Sequence, residues 1–122
     1  MVLFFCHNQN MVSGKGARNK GLNFEREIAK QLREENIFPN AKRHLESQLS
    51  ECKGFDLDHT GNLKIQLKRN KKYCSISKLQ EVQTEQGDIP MLLSKGDHME
   101  PVAVLYWKDF LRIIKDIGEV YE

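Results

Sequence analysis

The period at which apolar residues recur along this chain changes twice, and the changes divide it into elements. Over 22–36, LNFEREIAKQLREEN, the apolar residues Ile28, Ala29 and Leu32 fall three, four and seven places after Glu25. At ~100° per residue that spacing is one stripe of an amphipathic helix, with Asn23 as its N-cap. Glu25 lies in the middle of the stripe. A carboxylate facing a core is costly unless paired, so the position calls for a partner such as a lysine or a metal. A place in the first turn, where the helix dipole favours acids, is the structural alternative. Pro39 ends the helical region, and 41–46 (AKRHLE) is a short strand carrying the basic pair Lys42 and Arg43.

The period then falls to two. In 54–69, GFDLDHTGNLKIQLKR, two alternating runs meet at His59-Thr60-Gly61-Asn62, which predicts a β-hairpin with Gly61 supplying the permissive backbone of the turn. Successive strand side chains point to opposite faces. Phe55 and Leu57 therefore face one way and Asp56 and Asp58 the other, while Leu63, Ile65 and Leu67 oppose Lys64, Gln66 and Lys68. With the polar faces together, carboxylates, an amide oxygen and an ammonium group share one side of a small sheet. A divalent-metal site with a neighbouring catalytic lysine needs that set, although any half-solvated hairpin alternates in the same way.

Beyond the hairpin comes a basic loop, RNKKYC, and then Ser77 and Gln80 form a capping box that opens a helix to about Gln86. Gly87 and Asp88 stop it. The compact apolar runs 89–93 and 102–107 predict buried strands, and 108–117 a closing helix with Phe110, Leu111, Ile113 and Ile114 inward. Tyr106 and Trp107 belong to the core or its rim. The order helix, strand, hairpin, helix, strand, strand, helix predicts an α/β fold with a mixed central β-sheet flanked by helices.

At 122 residues the chain fits one domain: a flexible basic arm over 1–21, then a single unit over 22–122. Met11 offers a second start, which would leave the first ten residues dispensable. No apolar run approaches the ~20 residues that span a bilayer, and the opening MVLFFCHNQN lacks the basic leader and long apolar core of a signal peptide. A cytoplasmic setting is expected. Cys6, Cys52 and Cys74 form no CxxC pair and leave one thiol over, which argues against a disulfide framework or a thiolate zinc site. The glycine-rich run SGKGARNKG does not close a P-loop pattern.

Charge is unevenly spread. Residues 1–72 hold 14 Lys and Arg against 8 Asp and Glu, a balance of +6, whereas residues 73–122 hold 5 against 9, a balance of −4. A polyanion across the first half would be attracted, and the candidate phosphate contacts are Lys15, Arg18 and Lys20 on the arm with Lys42, Arg43, Arg69, Lys71 and Lys72 on the loops.

Glu25 on the first helix, Gly54-Phe55-Asp56 and Gln66-Leu67-Lys68 together resemble the PD-(D/E)xK nuclease superfamily. The stretch NKGLNFEREIAKQL is similar to the opening of its Holliday junction resolvase branch, the small archaeal and phage type. The resemblance covers roughly residues 18–107 and implies the restriction-endonuclease-like core and metal-dependent cleavage of phosphodiester bonds in DNA. By it, Glu25, Asp56 and Gln66 would surround Mg²⁺, or Mn²⁺ in its place, with help from the Leu67 carbonyl, and Lys68 would orient or activate the attacking water. Phe55 stands where the family has proline, and Gln66 where it has the second acid. A neutral amide ligand should hold Mg²⁺ more weakly, and Asp58 could restore the charge. Paired cuts in a four-way junction would need two subunits, so a homodimer on branched DNA is expected. A nuclease for ordinary duplex or single strands, and a DNA-binding module with a weakened site, are the alternatives.

Overall fold

The structure, a computed structural model, describes residues 15–44 and 54–120. Helix α1 spans Lys15–Glu34, so the stretch expected to be a flexible arm supplies its first turns, and Lys15, Arg18 and Lys20 are helical. Asn23 is an exposed mid-helix residue rather than a cap. Glycine inside a helix costs about 1 kcal/mol against alanine, and burial of the stripe Phe24, Ile28 and Ala29 offsets the two glycines at 16 and 21. Asn36 ends the helix in the left-handed region (φ 58°). The Ile37 N–H reaches back to the Leu32 carbonyl at 3.1 Å and the Asn36 N–H to the Arg33 carbonyl at 3.1 Å, the Schellman pattern that satisfies the last carbonyls.

Strand β1 (Lys42–Arg43) pairs antiparallel with β2 (Leu57–Asp58), Lys42 opposite Asp58 and Arg43 opposite Leu57. The main sheet has three strands: β3 (Leu63–Arg69) runs parallel to β4 (Ile89–Lys95), and β5 (Val102–Val104) lies antiparallel to β4 at the outside. The predicted hairpin is thus only partly formed. Its two arms join through the Asp56 N–H donating to the Ile65 carbonyl at 2.7 Å, while the β2 ladder goes to β1. The turn between them puts His59 and Gly61 at φ 64° and 62°.

Parallel strands need a crossover and cover on both faces. In the parallel register Leu63, Ile65 and Leu67 stand beside Ile89, Met91 and Leu93. Ile65 and Leu67 are buried with Phe24, Ile28, Ala29 and Leu57, and Leu32, Leu63, Met91 and Leu93 pack around them. Each such buried side chain contributes about 1.5–3 kcal/mol. The alternate residues Gln66, Leu92 and Ser94 face the crossover, where Leu79 is buried with them and the Ser94 hydroxyl accepts the Cys74 N–H at 3.0 Å.

That crossover is a 3₁₀ turn over Ile76–Glu81 and not the predicted helix to Gln86. Ser75 caps it, its hydroxyl accepting the Ser77 N–H at 3.2 Å, so the cap lies two residues before the predicted one. A further difference lies in the last strand and helix. Strand β5 stops at Val104, Val102 and Ala103 are exposed, and Trp107 opens helix α2 (Trp107–Val120). Phe110, Leu111 and Ile113 are exposed rather than inward, and Ile114 is half-buried. The helix turns its polar side inward instead: Asp109 is buried, and Arg112 Nη2 donates to the Gly87 carbonyl at 3.3 Å. No helix among the described residues is long and apolar enough to cross a membrane.

Candidate functional site

Gly54 brings the chain into position. Its backbone is left-handed (φ +78°), and a Cβ there would lie 2.1 Å from the Glu81 carbonyl oxygen, so only glycine lets this segment pass against the end of the 3₁₀ turn. Two residues on, Asp56 is bound to β3 twice. Its N–H donates to the Ile65 carbonyl, and its Oδ2 accepts the Leu67 N–H at 2.7 Å, a side chain taking the place of a backbone ladder acceptor. The structure therefore seats Asp56 against the Gln66-Leu67-Lys68 stretch.

Gln66 is 5% exposed. Its Nε2 donates to Glu81 Oε1 across a long 3.4 Å, and its Oε1 is buried with no hydrogen-bond partner. An unsatisfied buried acceptor costs about 1–3 kcal/mol and calls for an explanation. Lys68 follows two residues later on the same side of the strand and is half-buried.

The carboxylate of Glu25 has its partner in Arg43, whose Nε donates to Oε2 at 3.0 Å; the two side chains are only 20% and 26% exposed. The expected counter-charge is thus an arginine, and that arginine leaves the set of open phosphate contacts. Asp58 is likewise engaged: its Oδ1 lies 2.8 Å from His44 Nδ1. His44 has no role in the sequence reading, yet its N–H donates to the Asp56 carbonyl at 2.7 Å and its Nε2 is buried without a partner. The Phe55 ring stands 5.1 Å from the His44 ring and 5.3 Å from Lys64 Nζ. Only the antiparallel pairing of β1 with β2 sets His44 among these residues, and that pairing crosses residues 45–53, where no local pattern announces it.

Of the basic residues, Arg69 and Lys20 converge on Asp97 at 2.7 and 3.1 Å. Arg69 first and Lys20 second hold the Asp97 carboxyl below its ordinary range. Arg18, Lys42, Lys71 and Lys72 are exposed.

Among the described residues no three His, Cys, Asp or Glu side chains converge as a metal cage. The oxygens that do lie along β3, the Asp56 carboxylate and the orphaned Gln66 Oε1, are of the kind a hard divalent cation takes. A cavity bounded by Thr84, Gly87, Pro90, Tyr106 and Arg112 contains none of these groups. Comparison of the chain with protein-family models, with curated proteins and with solved structures returned no match.

Proposed function

We propose that the chain is a Mg²⁺-dependent DNA endonuclease of the junction-resolving type, with Asp56, Gln66 and Lys68 at its centre and Glu25 as a further carboxylate. The observation that carries this reading is the seating of Asp56 on the Leu67 N–H, flanked by a buried glutamine oxygen without a partner and by a lysine. The sequence motifs that resemble the PD-(D/E)xK nucleases fall on those residues, and the mixed α/β architecture is compatible with the core that the resemblance implies.

In this reading Asp56, Gln66 Oε1 and the Leu67 carbonyl would hold the ion, which when bound supplies positive charge to the phosphate oxygens. Water attacks phosphorus in line with the bond that breaks. Lys68 holds a fixed positive charge where negative charge develops, and its ammonium positions the attacking oxygen. Glu25, clamped by Arg43, adds a carboxylate of fixed orientation. The basic first half of the chain draws DNA to that face.

The test is cleavage of labelled four-way junction, duplex, flap and single strand side by side in Mg²⁺ and in Mn²⁺. Paired cuts confined to the junction are expected, lost in Asp56→Asn and in Lys68→Ala. Equal cutting of linear duplex would keep the chemistry and replace the junction substrate. A second reading, a DNA-binding module that does not cut, is favoured by Gln66 standing where an acid would complete the site. Cutting in either metal excludes it, and binding without cutting in both establishes it.

A further inference from the structure

Helix α2 is amphipathic the wrong way round for a helix of an isolated domain. A surface helix ordinarily turns its apolar stripe to the core. Here the only buried side chain among the described residues of α2 is the carboxylate of Asp109, 5% exposed, while Trp107 is 66% and Ile117 52% exposed. At 3.6 residues per turn Trp107, Phe110, Leu111, Ile113, Ile114 and Ile117 fill an arc of about 160°, and the charged residues Lys108, Asp109, Arg112, Lys115 and Asp116 fill the rest. The inversion has a cause. Arg112 Nη2 reaches the Gly87 carbonyl at 3.3 Å and its Nη1 lies 3.6 Å from the buried Asp109 carboxylate, so the polar side is held against the body and the apolar side is left outward.

The patch does not stop with the helix. Val102 of β5 and Tyr106 on the approach to the helix are 38% exposed each, and β5, the outermost strand of its sheet with one row of N–H and C=O groups open, ends at Val104, three residues before the helix begins at Trp107. We infer that this surface, the outward face of α2 together with the edge of β5, is the seat of a second copy of the same chain. Area argues for that occupant. Large apolar side chains present about 150–250 Å² each, and the exposed fractions of the seven residues from Val102 to Ile117 then sum to an apolar patch on the order of 700 Å². A stable interface buries about 800 Å² per partner. A two-fold contact places the same patch on itself, so apolar meets apolar and the edge of β5 can meet the edge of its mate. A lipid surface would accept the aromatic and aliphatic residues but offers nothing to the strand edge. The inference stands on exposure and geometry without the nuclease reading. If both hold, each particle carries two sites.

Sedimentation or light scattering of the full chain without DNA or metal reads the particle mass directly. A particle of twice the chain mass at micromolar concentration is expected. The double variant Trp107→Glu/Ile117→Glu should shift the dissociation constant by about 100-fold or more, because each carboxylate would be desolvated in an apolar contact. Its far-UV circular dichroism should stay unchanged, since both positions are exposed. Val102→Lys gives an independent variant on the strand edge that should also weaken the pair. A wild-type particle of single mass across the concentration range overturns the inference, as does a double-mass particle indifferent to all three substitutions. Single-mass protein that binds anionic vesicles through Trp107 would assign the face to a membrane surface instead.

Discussion

Gln66 concentrates the tension in this fold. Its amide nitrogen leans on Glu81 and its oxygen is buried with nothing to accept from. Replacing it by glutamate would put a second carboxylate beside Glu81 and remove the only donor between them. Without a divalent ion Gln66→Glu should lose about 2 kcal/mol or more. With millimolar Mg²⁺ the variant should recover, and its thermal midpoint should rise by more than that of the wild type; melts in EDTA and in Mg²⁺ measure both. A variant whose loss Mg²⁺ does not repair would remove the ion from Gln66. Asp97 behaves differently because its partners are present already. Its carboxyl lies below its ordinary value of 3.8, lowered by Arg69 and then Lys20, so the folded-state pKa is the depressed one. The stabilisation is complete above the unfolded value and is lost as pH falls through the folded one. Melts between about pH 6 and about pH 2.5 should show Asp97→Asn less stable than the wild type at the upper end, with the gap closing on the acid side of 3.8. At this scale the sequence was informative about need and silent about partner. A carboxylate at 25 inside an apolar stripe demanded a counter-charge, but nothing local named Arg43, and nothing marked His44 as the neighbour of Asp58 and Asp56.

Among the elements, β3 is where structural and chemical roles meet in one residue. Asp56 caps the strand at Leu67, so a loss of activity on mutation could come from either role. The two separate by choice of substitution. Asp56→Ala leaves the Leu67 N–H without its acceptor and should cost about 1–3 kcal/mol in urea unfolding. Asp56→Asn keeps an oxygen for that N–H and should cost less, yet it removes the negative charge. If the carboxylate serves chemistry, Asp56→Asn should be as inactive as Asp56→Ala while remaining close to wild type in stability; activity that follows stability across the pair would make Asp56 a cap and no more. The alternation in 63–69 and the apolar run after Gly87 were enough to locate β3 and β4, since both patterns are local. The partner of each strand was not. A local turn suggested that β2 would ladder with β3, whereas β3 spends its ladder on β4, reached through residues 70–88, and β2 turns to β1. Helix α2 shows the same limit: periodicity reveals that an apolar face exists and does not say what covers it.

On the scale of the whole molecule, charge is the clearest lever. The first 72 residues carry +6 and the rest −4, but pairing withdraws part of the positive set: Arg43 goes to Glu25, and Arg69 with Lys20 goes to Asp97. Of the candidate phosphate contacts among the described residues, Arg18, Lys42, Lys71 and Lys72 stay exposed. Counterion release sets the form of the result, since the logarithm of affinity should fall with the logarithm of salt by about 0.9 per phosphate neutralised on duplex. Replacing both Lys71 and Lys72 by alanine should therefore flatten that slope by about 2 and weaken binding to all sequences alike. Asp97→Asn should do the reverse, because it releases Arg69 and Lys20 to the solvent side and steepens the slope. Fluorescence anisotropy against salt, in an Asp56→Asn background to prevent cutting, compares the three. Slopes that do not move with Lys71 and Lys72, or that flatten when Asp97 is neutralised, would place the nucleic acid on a surface other than the basic half.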